Sequence, residues 1–425
     1  MYDWANSAYS LVITSALFPI YFHAVTSQGD TSTVKFLGRV FDSNSLQTYA
    51  ISAAFLLIAF LNPLLSSIAD YSGRKKSFMY FFCTLGAAAC TCLYFFDSID
   101  RLWIGILGSM LAAIGFSGSI VFYNAFLPEI AAADEQDKVS AKGFAMGYIG
   151  SSLLLIFSLT MILFPEWYGG ISNGLATRLA FVLVGIWWFG FAQITFYHLP
   201  EERSNLRESG HYLFNGYKEL RKVWYDLRHS RRLSDFLLSY FFYNMGVQTV
   251  MYVATLFGDG ELHLDSSILI MIILIIQFVA IGGAYLFSFL SFKLGNLKSI
   301  GIAIFAWILI SIGAWFCDKR FGVNEQNMFI GLAAFVGLVM GGIQSLSRST
   351  YSKLLPSTTD HASYFSFFDV CEKVGIVIGT FLFGYINEST GSMRNSILII
   401  ASFFVIGLIL LLRVGKQQEL QPHHS

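Results

Sequence analysis

Apolar residues along the chain gather into twelve long runs, at about 4–25, 46–69, 77–96, 102–131, 141–164, 177–199, 234–257, 267–291, 298–317, 328–348, 362–387 and 395–413. About twenty apolar residues at ~1.5 Å rise per residue cross a ~30 Å hydrocarbon layer as one helix. The pattern therefore predicts an all-α integral membrane protein with twelve transmembrane helices. Short polar turns separate most runs. The largest polar break, Pro200–Ser234, carries several Lys and Arg among acids, with Trp224 and Tyr225. It predicts a six-helix bundle over 1–200, a cytoplasmic linker over 201–233, and a second six-helix bundle over 234–425 with a short cytoplasmic tail. The linker reads as a solvated connector with one or two surface helices, or as a basic amphipathic patch resting on anionic lipid.

Charge sets the orientation. The turn Ser66–Lys76 joins the second and third runs and contains Asp70, Gly73 and Arg74. Placing it in the cytoplasm puts 19 of the 27 Lys and Arg on that side, seven on the other, and Lys373 inside a helix. By the positive-inside bias both termini are then cytoplasmic, and in a bacterium the host would be the inner membrane. Met1–Val25 lacks a basic leader and a small-residue cleavage site, so it reads as a span and not a signal peptide. This span opens almost at Met1, where a polar leader is usual, and the natural start is expected upstream. A weak repeat at a spacing of 220–240 residues relates the halves: Phe126-Leu127-Pro128 to Leu354-Leu355-Pro356, and the glycines of Gly143–Gly150 to Gly375 and Gly379. Two pseudo-symmetric bundles with a midplane site between them are the implied architecture.

Composition narrows the function. The chain is 55% hydrophobic, 17% aromatic and 13% charged, with mean hydropathy +0.60. A soluble domain carries about 25% charged residues. Zero net charge implies no nucleic-acid partner. The five cysteines form no C-x-x-C pair and the eight histidines no H-E-x-x-H, so neither a metal site nor a cofactor is expected. No phosphate-binding loop is present, which removes ATP as the driver. No nucleophile–base pair stands at one membrane depth, so the chain is not expected to be an enzyme.

An ionisable group at the centre of a membrane helix costs about 2.5–3.5 kcal/mol on insertion scales, so each needs a reason. The eleventh run holds Asp369, Glu372 and Lys373. Lys373 lies near mid-membrane with Asp369 one turn earlier, the favourable order for an ion pair. Glu372, about 100° round the helix, is expected to point elsewhere. Either the pair is self-neutralised, or Lys373 meets an anionic substrate group while Asp369 or Glu372 titrates. The first run carries Asp3 and Asn6, the fourth Tyr123, Asn124 and Glu129, the seventh Asn244 and Gln248 on one face, and the tenth Gln344 and Arg348. Glu129 reads as a solvated helix end. Arg348 reads as a boundary residue that snorkels or pairs with an acid.

These motifs resemble a known superfamily and one branch of it. D-x-x-G-R-K in the 66–76 turn is similar to the signature loop of the major facilitator superfamily, where acid and Arg latch two halves of a transporter on the cytoplasmic side. Tyr2-Asp3-Trp4-Ala5-Asn6-Ser7, Tyr123-Asn124-Ala125-Phe126-Leu127-Pro128-Glu129-Ile130, Gly143–Gly150, Gly246-Val247-Gln248-Thr249 and Gln344-Ser345-Leu346-Ser347-Arg348-Ser349 resemble the vacuole-effluxer-like transporters, related to a yeast autophagy-associated vacuolar amino-acid exporter. The resemblance spans nearly the whole chain. It implies that spans one, four, seven and ten line a central cavity, and that Lys373 matches a family Lys. Some relatives have an acid after the Tyr-Asn of span seven, where this chain has Met245. Any coupling role then shifts to Asp3, Glu129, Asp369 and Glu372.

The function expected is secondary active transport of a small polar solute, an amino acid or other small zwitterion, by a monomer that works by alternating access. Export is the implied direction. Protons are the candidate coupling ion, because buried carboxylates take up protons more readily than exposed ones. The substrate and coupling residues expected are Lys373, Asp369, Glu372, Asp3, Asn6, Tyr123, Asn124, Asn244, Gln248 and Gln344. The expected cytoplasmic gate is Asp70, Gly73, Arg74, Glu129 and Arg348. The alternatives are a transporter-shaped receptor, which a long signalling tail would favour, and a lipid-handling protein.

Overall fold

The computed structural model describes residues 1–27, 33–200, 212–317 and 324–420. The first part of the expected linker, 201–211, and the loop with Lys319 and Arg320 lie outside the described residues, as do the last five residues of the tail. The chain forms two compact units. One comprises Met1–Tyr123 and Met146–Gly210, the other Asn124–Ala145 and His211–Ser425.

In the first unit, α1 (Tyr2–Thr26) is wound more widely through Tyr9–Leu17, where Phe18 N–H reaches back five residues to the Ile13 carbonyl. Two short strands follow, β1 (Thr33–Phe36) and β2 (Arg39–Asp42), paired antiparallel with Phe36 opposite Arg39. Leu37 and Gly38 turn between them with φ of 48° and 79°, the signs that suit a two-residue hairpin. This hairpin is the one element the all-α expectation omits. Asp42 then caps α2 (Ser43–Ser72), its carboxylate accepting from Ser45 N–H at 3.0 Å.

Gly73 ends α2 in the left-handed conformation at φ 69°, which a side chain would strain, and Arg74 N–H closes the turn on the Ala69 carbonyl at 3.0 Å. α3 (Lys75–Cys92) starts one residue later. α4 (Leu102–Ala125), α5 (Gln136–Leu163) and α6 (Asn173–His198) complete the series; the end of α4, the single turn Leu127–Ile130 and the start of α5, within 124–145, belong to the second unit. The unit's core is aromatic. Tyr9, Phe116 and Trp188 meet at one level, and Phe18, Phe22, Phe96 and Phe181 at another.

The second unit holds α7 (Tyr212–His229), α8 (Arg231–Gly260), α9 (Ser266–Leu294), α10 (Asn296–Trp315), α11 (Glu325–Leu354), α12 (His361–Thr390) and α13 (Met393–Leu420). α9 lies against α11, and α13 packs on α8, α10 and α12. At one end Arg394 of α13 donates to Glu261 at 2.7 Å and to the Cys317 carbonyl at 2.6 Å, and lies 3.8 Å from Glu325. Ten of the described helices are long and apolar enough to cross a membrane. α8 and α12, each 30 residues, are not among them. Tyr240, Tyr243, Asn244 and Gln248 dilute α8, and α12 carries Asp369, Glu372 and Lys373. These are the helices with the polar groups that the sequence singles out.

The α9–α11 contact depends on missing side chains. A Cβ on Gly283 would sit 2.0 Å from the Leu338 carbonyl oxygen, and one on Gly341 would sit 2.1 Å from that of Ala280. Gly337 and Gly341 are the small residues, four apart, that let membrane helices touch backbone to backbone. Gly341→Val should lower the unfolding midpoint in detergent, by the ~1–3 kcal/mol typical of overpacking. Gly282→Ala, whose added Cβ meets nothing within 4 Å, should leave it unchanged.

Candidate functional site

A helix within a bilayer satisfies its own backbone, so its polar side chains must find partners among themselves. On α12, Lys373 and Asp369 are buried, with side chains 2% and 4% exposed and 3.5 Å between the charged atoms. The Lys373 ammonium also donates to Glu372 at 2.5 Å. This corrects the expectation that Glu372 points elsewhere. The Cα directions of adjacent helical residues do diverge, but both side chains are long, and a buried ammonium gathers every carboxylate in reach. Glu372 keeps its side chain 25% exposed and accepts a second bond from the Tyr240 hydroxyl at 3.2 Å. Tyr240 is fixed by stacking on Phe368 at 3.9 Å between ring centroids.

One turn beyond Tyr240, Asn244 is buried, and its amide nitrogen has no hydrogen-bond partner among the described residues. Gln248 follows a further turn on, half-buried, and Gln344 on α11 is half-buried too. Tyr243 and Ser347 share a hydrogen bond at 2.8 Å that ties α8 to α11.

A second cluster fastens the segment 124–145 to the rest of its unit. Arg348 does not snorkel to water; it is buried near the end of α11. Its guanidinium donates to the Ser140 hydroxyl at 2.9 Å, to the Ser140 carbonyl at 3.0 Å and to the Asn124 side-chain oxygen at 3.4 Å. It lies over the Phe144 ring at 4.3 Å, a cation–π contact that suits a weakly hydrated guanidinium. The Ser140 hydroxyl in turn donates to the Ser345 carbonyl at 2.8 Å. Asp137, buried in the first turn of α5, accepts from Ser291 at 2.9 Å and Asn296 at 2.7 Å, and pairs with Lys353 at 2.7 Å. Glu129 is no isolated solvated end: its carboxylate meets His361 Nδ1 at 3.0 Å.

In the first unit, Asp3 is buried and accepts from the Tyr123 hydroxyl at 2.5 Å. Asn6, one turn on, is buried with its amide nitrogen lacking a partner among the described residues. Trp4 stacks on Trp187 at 5.6 Å, and the Trp187 indole donates to the Trp4 carbonyl at 3.0 Å. Asp70 is half-buried at the end of α2, and Arg74 is exposed. Of the predicted residues, Lys373, Asp369 and Glu372 come together, as do Arg348 with Asn124 and Asp3 with Tyr123.

Sequence reasoning missed Tyr240, Asp137, Ser140, Phe144 and His361. Asp137 could have been found: it stands in the first turn of a helix, where the dipole favours an acid, among bases that need a counter-charge.

The chain matches, over residues 1–422, the model of a family described as vacuole effluxer Atg22 like. It is 32% identical over 419 residues to the uncharacterized MFS-type transporter YxiO of Bacillus subtilis, covering 98% of this chain and 94% of that one. It is 23% identical to autophagy-related protein 22 of Yarrowia lipolytica, with 93% and 80% covered, and 27% identical to that of Saccharomyces cerevisiae, with 89% and 78% covered. Among solved structures, the proton:xylose symporter XylE matches with a TM-score of 0.72 at 14% identity, over 97% of this chain and 93% of that one. A bacterial homologue of the iron transporter ferroportin, in its outward-facing state, matches at 0.66 and 11% identity over 97% of this chain and 97% of that one. At such identities the likeness shows the fold alone, and that fold is the major facilitator fold.

Removing the Asp137 carboxylate would take one acceptor each from buried Ser291 and from half-buried Asn296 and Lys353, which keep a second partner each, a loss of about 1–3 kcal/mol in all. Asp137→Ala should therefore lower the unfolding midpoint clearly, and Asp137→Asn, which keeps an acceptor, should lower it less.

Proposed function

The chain belongs to the vacuole effluxer Atg22 like family, within the major facilitator superfamily of transporters, and we propose that it exports a small zwitterion, such as an amino acid, by proton-coupled alternating access. It is a multi-pass membrane protein and not an enzyme. Twelve spans in two six-helix halves, 1–200 and 234–425, with cytoplasmic termini and a monomeric state, complete the proposal.

The observation that carries the reading is the Lys373 cluster. One ammonium and two carboxylates leave a net charge of −1, near the midpoint of a membrane helix, with Glu372 as the accessible arm. Lys373 is already fully paired, so an anionic group alone would have to displace a carboxylate from it. A zwitterion does better: its ammonium takes Glu372, its carboxylate takes the Lys373 valence thus released, and one internal pair becomes two pairs with the cargo. A proton on Glu372 would break the same internal pair, which makes proton uptake and cargo binding compete for one group. Asn6, Asp3 and Tyr123 of the first unit and Asn244, Gln248 and Gln344 of the second are the further substrate contacts proposed; Asn6 and Asn244 each hold a buried amide donor with no acceptor among the described residues. The gate proposed is the set of bonds from Asn124, Glu129, Asp137 and Ser140 to α9, α10, α11 and α12, together with the Asp70–Gly73–Arg74 turn. Those bonds would open and close once per cycle.

Counterflow of an amino-acid panel in proteoliposomes, with and without a pH gradient, tests this. Glu372→Gln, which removes the partner proposed for the cargo's ammonium, should weaken exchange and abolish its response to the gradient. Lys373→Ala should be inactive, and so should Lys373→Ala combined with Asp369→Asn, which restores the net charge of −1. Full activity in the double variant would remove Lys373 from the site.

A further inference from the structure

Transport leaves α7 unexplained. This helix is the described part of the polar linker, and it is strongly amphipathic in an unusual sense. Gly216, Val223 and Leu227 form the buried line against α8 and α12. At about 100° per residue, Lys218, Tyr225 and His229 take the outer face opposite that line, and two edges flank it. Tyr217, Arg221, Trp224 and Arg228 share one edge. Glu219, Lys222 and Asp226 share the opposite one. Tyr217 is 59% exposed and Trp224 51%, and both arginines are exposed. The helix's acids are confined to the edge with Lys222.

Contacts with α12 give these edges a direction. Lys222 bonds Asp360, the residue before α12 begins, at 3.2 Å. Trp224 packs on Phe367, with ring centroids 5.6 Å apart. Seven residues of helix separate the two contacts, a rise of about 10 Å. α12 enters the bilayer in that direction, so the Trp224 edge is the membrane side of α7 and the Lys222 edge is the aqueous side. α7 is also joined to α8, a membrane helix, by Ser230 alone. On the aqueous edge, Glu219 lies 2.7 Å from Lys222, and this hydrogen bond is the main reason that the lysine's pKa is raised. That edge carries two acids for one lysine, a net charge of −1. The membrane edge carries two arginines alternating with two aromatic rings, and no acid.

The structure assigns to this edge a binding surface for anionic phospholipid of the adjoining leaflet. Arg221 and Arg228 would hold the phosphate and headgroup charge, while Tyr217 and Trp224 sit at the headgroup level, where aromatic rings of mixed polarity prefer to be. The chemistry is that of an interfacial helix, whose affinity adds apolar burial to electrostatic attraction.

Two measurements test the assignment on the full chain. Native mass spectrometry of protein released from mixed phosphatidylglycerol and phosphatidylcholine should show phosphatidylglycerol retained preferentially. Arg221→Glu/Arg228→Glu should lower that preference about tenfold, and the milder Arg221→Gln/Arg228→Gln should lower it in the same direction if charge reversal prevents folding. Unchanged preference in a folded variant overturns the proposal. In nanodiscs, the Trp224 emission, taken as the difference between the native protein and Trp224→Phe, should be quenched more by brominated phosphatidylglycerol than by brominated phosphatidylcholine. Equal quenching by the two lipids removes the selectivity for anions. Quenching by aqueous iodide alone shows a face open to water and to soluble partners, and equally overturns the assignment.

Discussion

A peptide group in hydrocarbon has no water to bond, so every segment that crosses the bilayer must close its hydrogen bonds within itself. That constraint explains most of this molecule. It makes the spans helices, and it removes the hydrophobic drive that would otherwise bring helices together, because lipid is as apolar as leucine. What remains is contact, and contact requires small residues. Gly283, Gly337 and Gly341 bring α9 and α11 to backbone distance for this reason. With the backbone satisfied, polar side chains are superfluous to the scaffold, and those retained at depth stand out against it.

The two polar clusters of the second unit solve the problem of buried charge differently. Asp137 is saturated: three donors from three helices converge on one carboxylate. Such a group is a fastener. Arg348 is similar, held by a hydroxyl, a carbonyl, an amide oxygen and an aromatic face. Around Lys373 there are two carboxylates for one ammonium, and one of them is a quarter exposed, at 25%. That arrangement has more than one way to pair its charges, which is what a binding group that must release its cargo requires.

Much of this was legible in the chain. Run lengths predict the membrane helices, and the three charges within five residues on α12 mark the candidate site without any structure. The two helices that fail a simple apolarity test, α8 and α12, fail it because of those same residues, so the weak spots in the hydropathy pattern were informative. Glu372 was misjudged because a helical wheel follows Cβ directions, whereas a long side chain next to a buried ammonium follows charge. The β1–β2 hairpin escaped notice because its four-residue strands are too short to register beside helices of 20 or more. The partners of Asp137 and Ser140 lie more than 150 residues away, so the first-turn acid and its basic neighbours are visible in D-K-V-S-A-K but the residues they bond are not.

The wide winding of α1 has a geometric consequence of its own. Each i→i+5 bond admits one residue more per turn than an α-helix does, and such turns gather at working positions in proteins. Here the stretch Tyr9–Leu17 separates the Asp3–Asn6 end of the helix from the Phe18–Phe22 end. Rewinding it to ordinary pitch would swivel one end against the other by about 100° for each residue reabsorbed. The pitch of this stretch therefore sets the angle at which the carboxylate and the amide of one end stand relative to the aromatic residues of the other.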